Sequence, residues 1–207
     1  IALTTILFTS LFTISIGNSF GWPYGNFVHF DIIQFFKTYG FDKLDELKAF
    51  IAHEVHHIAF GRCIQSIKET NPSLEKELCR FIAFEGLAVK YGNNGEGSLT
   101  KRLYEDIEPN IGMDKSTWKY FREEFDDMFI NFKTQIEDIR EGRIKDMKDL
   151  GAIIASYWIS LRTREQEKSE IPRLKHSRNY YFGCEIWGLI HDVYGKEKVF
   201  NTLGGWD

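Results

Sequence analysis

The spacing of hydrophobic positions changes character near residue 40. Before it, β-branched and aromatic residues gather in short runs at 5–8, 11–16 and 27–30. Turn formers separate them, at Gly17-Asn18-Ser19 and across the 21–26 segment Gly-Trp-Pro-Tyr-Gly-Asn, so this part reads as short strands joined by turns. A brief helical stretch over 32–39 ends at Gly40. From Lys43 onward Leu44, Leu47, Phe50, Ile51, Val55 and Ile58 recur at steps of three and four, the stripe of an amphipathic helix. Asp42 suits its N-cap, Asp45 and Glu46 suit its first turn, and Gly61 offers an end.

A second helix is predicted from Pro72, a residue tolerated in a first turn. It carries Leu74, Leu78, Phe81, Ile82, Glu85 and Val89 on one side and stops at Gly92-Asn93-Asn94-Gly95. After a glycine-rich loop through Gly97, helical spacing resumes over 115–141 and 145–161. The charged stretch 162–178, with Pro172, reads as an exposed connection, followed by helices over 179–194 and 197–203. Strands first and helices afterwards define an α+β protein that is mostly helical, with a small N-terminal β-sheet.

Composition narrows the class. A chain of 207 residues, 43% hydrophobic and 27% charged, can bury one core without disulfide staples. The net charge of −4 provides no basic excess for nucleic acid. Cys63, Cys79 and Cys184 are odd in number and contain no C-x-x-C pair, which argues against a zinc ribbon or disulfide framework. Such cysteine usage mildly favours a reducing, cytoplasmic setting. Residues 1–30 hold no Lys, Arg, Asp or Glu, yet Thr4, Thr5, Thr9, Ser10, Thr13 and Ser15 break up the apolar run. With no basic n-region and no unbroken apolar run of membrane length, the segment is expected to be buried β structure, with a truncated targeting region as the alternative. The first residue is Ile1 rather than Met, so a chain trimmed at its N-terminus is expected.

Chemistry enters at His53-Glu54-Val55-His56-His57, which contains H-E-x-x-H inside the first long helix. Histidines four residues apart stand one above the other on one helical face, so both imidazoles can reach a single Zn²⁺. Glu54 is rotated off that pair, where its carboxylate can take a proton from an activated water instead of binding the ion. His56 is expected to point away.

A catalytic zinc needs a third protein ligand and an open position. Glu85 fits best, because a carboxylate within an apolar stripe is costly to bury unless paired or metal-bound. Pairing with Arg62 or Arg80 is the alternative. Asp31, Glu69 and Glu77 fit less well, lying beside turns or on charged faces. Gly86 and Ala88 are expected to let this helix approach the H-E-x-x-H helix closely.

These residues resemble the gluzincins, metallopeptidases in which a glutamate on a following helix completes the H-E-x-x-H site. More narrowly, His53–His57, Glu85-Gly86-Leu87-Ala88 and Tyr180-Tyr181-Phe182-Gly183 are similar to bacterial zinc-dependent proteases of unknown substrate. The resemblance implies one zincin-like catalytic domain over 1–207, with strands and zinc helix to 62 and a helical lobe over 63–207. It implies one zinc per chain on His53, His57 and Glu85, and a peptide or protein substrate, with neither nucleic acid nor membrane as partner.

The resemblance further implies an oxyanion donor from a later helix, with Tyr180 first and Tyr181 second. His176 and His191 are weaker candidates, His191 reading more simply as a packing residue. The strand lining the cleft would be 27–30, or 12–17 with Asn18, and Phe20, Trp22 and Tyr24 could wall a subsite. A metzincin pattern would need glycine and histidine where Phe60 and Cys63 stand. Two other readings share these residues: a zinc hydrolase acting on another amide or ester, and a non-enzymatic binding or regulatory protein that keeps the fold.

Overall fold

The computed structural model describes residues 10–13, 21–24, 27–66, 71–93, 113–160 and 176–204. The run at 5–8, the loop at 94–97, Asn18, Phe20 and Glu69 lie outside them, as does the connection from 161 to 175.

Three strands form one mixed sheet: β1 (Ser10–Thr13), β2 (Gly21–Tyr24) and β3 (Phe27–Asp31), in the order β1-β3-β2. β1 runs parallel to β3, and β2 antiparallel to it, pairing Gly21 with Phe30 and Trp22 with His29. The expected strands at 11–16 and 27–30 are therefore present in outline, while β2 occupies a segment read as a turn. Its Pro23 is compatible with a strand because β2 is paired on one side only, the edge position to which strand prolines are largely confined. β3, by contrast, is central and paired on both sides, so it has no free edge for an extended peptide.

The pleat sorts side chains by face. Val28 and Phe30 are buried against Ile58, Phe50, Ile51 and Val55 of the long helix. Trp22 and His29 share the opposite face, their rings stacked at 5.5 Å, with the exposed Tyr24 edge-on to His29. Trp22 and Tyr24 thus stand on the far side of the sheet from the H-E-x-x-H helix.

Helix α1 (Ile32–Tyr39) is capped by Asp31, whose Oδ1 accepts from the Gln34 N–H at 2.9 Å. α2 (Leu44–Ser66) carries H-E-x-x-H and continues past Gly61, where nothing crowds the backbone. α3 (Leu74–Leu87) begins at a Ser73 cap just after Pro72 and runs into a π-helical turn, Ala88–Gly92. The expected helix at 115–141 is two, α4 (Lys115–Glu123) and α5 (Phe125–Arg140), which meet at Glu124. Phe121 and Phe125, on either side of that junction, are both in the core. α6 (Met147–Ile153) passes into a second π turn, Ile154–Trp158, and α7 (Arg178–Tyr194) and α8 (Lys196–Gly204) come after it.

The main core gathers Leu78, Ile82, Phe121, Met128, Leu150, Trp158 and Phe182 from α3 to α7. No helix among the described residues is long and apolar enough to cross a membrane. The architecture is α+β and mostly helical, with one small sheet at its N-terminal end.

Candidate metal centre

Two glycine contacts set the site. On α3, a Cβ at Gly86 would lie 2.3 Å from the Gly183 carbonyl carbon and 2.4 Å from its Cα, so α3 and α7 cross backbone to backbone. This corrects the expectation that Gly86 serves the approach to α2: it faces α7. The close approach to α2 belongs to Gly92, where a Cβ would meet the His53 nitrogen at 2.6 Å and its Cα at 2.7 Å. Only a residue without a side chain fits either place. Glu85 sits beside the first contact, and the π turn that ends at Gly92 clamps His53 through the second.

Three donor atoms converge there. The Nε2 atoms of His53 and His57 are 3.1 Å apart, and Glu85 Oε2 lies 3.3 Å from each. Three ligands on a tetrahedral zinc, each at about 2.0–2.1 Å, stand about 3.3–3.4 Å from one another, so the triangle has the right size for an ion above its centre. Glu85 Oε2 is buried with no hydrogen-bond partner among the described residues despite both approaches. His53 and His57 are buried at 6% and 5% exposure. The three can hold a metal ion, and no other His, Cys, Asp or Glu joins the group among the described residues.

The electrostatics agree. Burial alone would raise the Glu85 carboxyl, but polar contact with His53 and His57, then their charge, outweighs it and holds the group at about 2. Burial opposes charge on His53, yet Glu85 outweighs it and raises that imidazole, with help from Glu54 and Asn93. The cluster already contains the negative charge a cation would meet.

Glu54 stands off the triangle, as the helical turn requires. Burial pushes its carboxyl up against the opposing pull of His53 and His57, and its Oε2 is buried with no hydrogen-bond partner among the described residues. β2 lies over it: a Cβ at Gly21 would come within 3.0 Å of Glu54 Cγ. The strand lining the site is therefore β2, not the central β3.

Tyr180 belongs to the cluster. Its ring stacks on His53 at 6.0 Å and 13°, and its hydroxyl is raised well above the usual phenol range by burial, then by the charge of the Glu85 carboxylate. It is therefore a proton donor at any working pH. Tyr181 turns the other way into the core, 1% exposed and edge-on to Trp118 at 4.9 Å.

The remaining candidates sort cleanly. His56 stacks on Phe60, and burial, followed by the neighbouring imidazoles, holds it down at about 4. His191 shares a 2.9 Å hydrogen bond with the Tyr91 hydroxyl, the packing role anticipated for it. His176 lies against the Tyr180 ring at 5.8 Å. Asp31 is committed to the α1 cap, Glu77 pairs with Arg80 at 3.1 Å, and Cys63 is exposed outside the donor group.

One residue escaped the sequence reading. Asn93, fully buried, places its Oδ1 2.7 Å from His53 Nδ1, on the side of the ring opposite the triangle. Its only signal was a position directly after the glycine that closes the helix, and the Gly-Asn-Asn-Gly string hid it as a loop.

A search of family models, curated proteins and solved structures finds no match to this chain.

Proposed function

We propose that this chain is a zinc-dependent hydrolase of the gluzincin type, a zincin-like peptidase that cleaves peptide bonds in peptide or protein substrates. The observation that carries the reading is the 3.1–3.3 Å triangle of His53, His57 and Glu85 with Glu54 held beside it but outside it. A purely structural zinc closes its fourth position with protein, whereas three protein ligands plus an adjacent unpaired carboxylate suit hydrolysis. Imidazole and carboxylate donors at tetrahedral spacing fit zinc.

When bound, zinc supplies Lewis acidity, acidifying a water and polarising the substrate carbonyl. Glu54 then takes the proton from the attacking water and delivers it to the departing amine. Attack forms the new C–O bond, and collapse of the tetrahedral carbon breaks the C–N bond. The Tyr180 hydroxyl donates towards the carbonyl oxygen as negative charge builds there. His53, His57 and Glu85 serve by holding position.

The test is a peptide library offered to zinc-loaded protein, alongside simple esters and non-peptide amides. Cleavage of peptides, stopped by a chelator and restored by zinc, is the expected result. Hydrolysis confined to the esters or other amides would move the assignment to a different substrate class. Tyr180→Phe is expected to lower kcat about 10²-fold, with the metal content unchanged. A kcat equal to wild type would remove Tyr180 from the reaction.

A further inference from the structure

We infer that Asn93 is a positioning residue for the metal centre, fixing the tautomer and angle of His53, and that the π turn Ala88–Gly92 exists in this chain to deliver it. The inference rests on the metal-site reading above.

The chain of contacts is continuous. The Asn93 N–H bonds back to the carbonyls of Ala88 and Val89 at 3.3 and 3.2 Å, so the π turn fixes its backbone. One residue earlier, Gly92 lies against the backbone of His53 itself, with no room for a Cβ. These two constraints bring the Asn93 side chain to the Nδ1 edge of the same histidine, at 2.7 Å. π turns recur at functional sites because their extra residue re-aims the side chains that come after it.

The chemistry rests on the atom presented. An amide oxygen can only accept, so His53 donates from Nδ1–H, which leaves Nε2, the nitrogen facing Glu85 and His57, as the one whose lone pair can be offered to an ion. With the other tautomer, Nε2 would carry a proton and could not ligate. The two ligating histidines are held differently. His57 Nδ1 is buried with no hydrogen-bond partner among the described residues, and its ring is gripped by the face of Phe84, stacked at 4.1 Å and 19°. His53 therefore depends on Asn93 for its polar support. A neutral amide in that place also adds no negative charge beyond that of Glu85.

The test measures zinc affinity by chelator competition, together with the visible spectrum of the Co²⁺-substituted protein, for wild type, Asn93→Ala and Asn93→Asp. Asn93→Ala is expected to bind zinc 10–100-fold more weakly, roughly the loss typical when such a partner is removed, with an altered Co²⁺ spectrum. Asn93→Asp, which keeps an accepting oxygen in that place, is expected to bind at least as tightly as wild type and keep the Co²⁺ spectrum. Wild-type affinity in a folded Asn93→Ala would overturn the role of Asn93 while leaving the metal site standing. Should Asn93→Ala fail to fold, Asn93→Asp decides: a tenfold or greater loss in that folded variant overturns the acceptor role. Wild-type protein that binds neither Zn²⁺ nor Co²⁺ would overturn the metal reading and the role of Asn93 with it.

Discussion

On the proposed function, Glu54→Gln is expected to lose turnover by about 10³-fold or more while still carrying its metal. Glutamine matches glutamate in shape, so the packing under Gly21 survives, and Glu54 is not one of the three converging donors. What the amide cannot do is take a proton. The site supports that division of labour: Glu85 is held ionised at about 2, whereas burial pushes Glu54 the other way and leaves one of its oxygens without a partner among the described residues. On the proposed function, one carboxylate would serve as the anion for a cation and the other as the base for proton transfer. Elemental analysis of the variant beside its steady-state rate checks both halves. Residual activity near wild type would remove Glu54 as the base, and loss of the metal would make it a ligand instead.

Gly86→Ala is expected to destabilise the fold by about 3 kcal/mol or more, well beyond an ordinary surface change. The added methyl would have to occupy space 2.3–2.4 Å from the backbone of Gly183, and backbone cannot turn aside as a side chain can. The helices must separate, which loosens the packing of Ile82 and Phe182 on either side of the crossing. For a chain of this size the melting temperature should fall by roughly 6–12 °C. Metal affinity should fall as well, since Glu85 is the next residue along α3 and Tyr180 lies one turn from Gly183 on α7. Gly151→Ala supplies the control: it is exposed in α6 with nothing within 4 Å of its Cβ position, so it should be neutral or slightly stabilising. Equal melting temperatures for Gly86→Ala and wild type would show that the helices do not cross where described.

The legible part of the site was the part encoded by local periodicity. His53 and His57 share a face because four residues make just over one helical turn, and Glu54 is displaced from them for the same reason. Glu85 was legible because a carboxylate inside an apolar stripe calls for a partner. The contacts that bring α3, α2 and α7 together were not legible in the same way. A glycine announces that something comes close, but not which neighbour, so Gly86 was matched to α2 when it meets α7. Asn93 depends on a π turn, and no spacing rule separates Ala88–Gly92 from the end of an ordinary α-helix. β2 was hidden because glycine and proline normally signal turns, whereas an edge strand lying over Glu54 tolerates both. The break at Glu124 had no glycine or proline to mark it.

The most direct test of the central claim is the metal content of the protein purified without chelator, measured by elemental analysis. The triangle of His53, His57 and Glu85 predicts one zinc per chain, absent when both histidines are replaced by alanine. Wild-type protein that is metal-free as purified and refuses added zinc would contradict it.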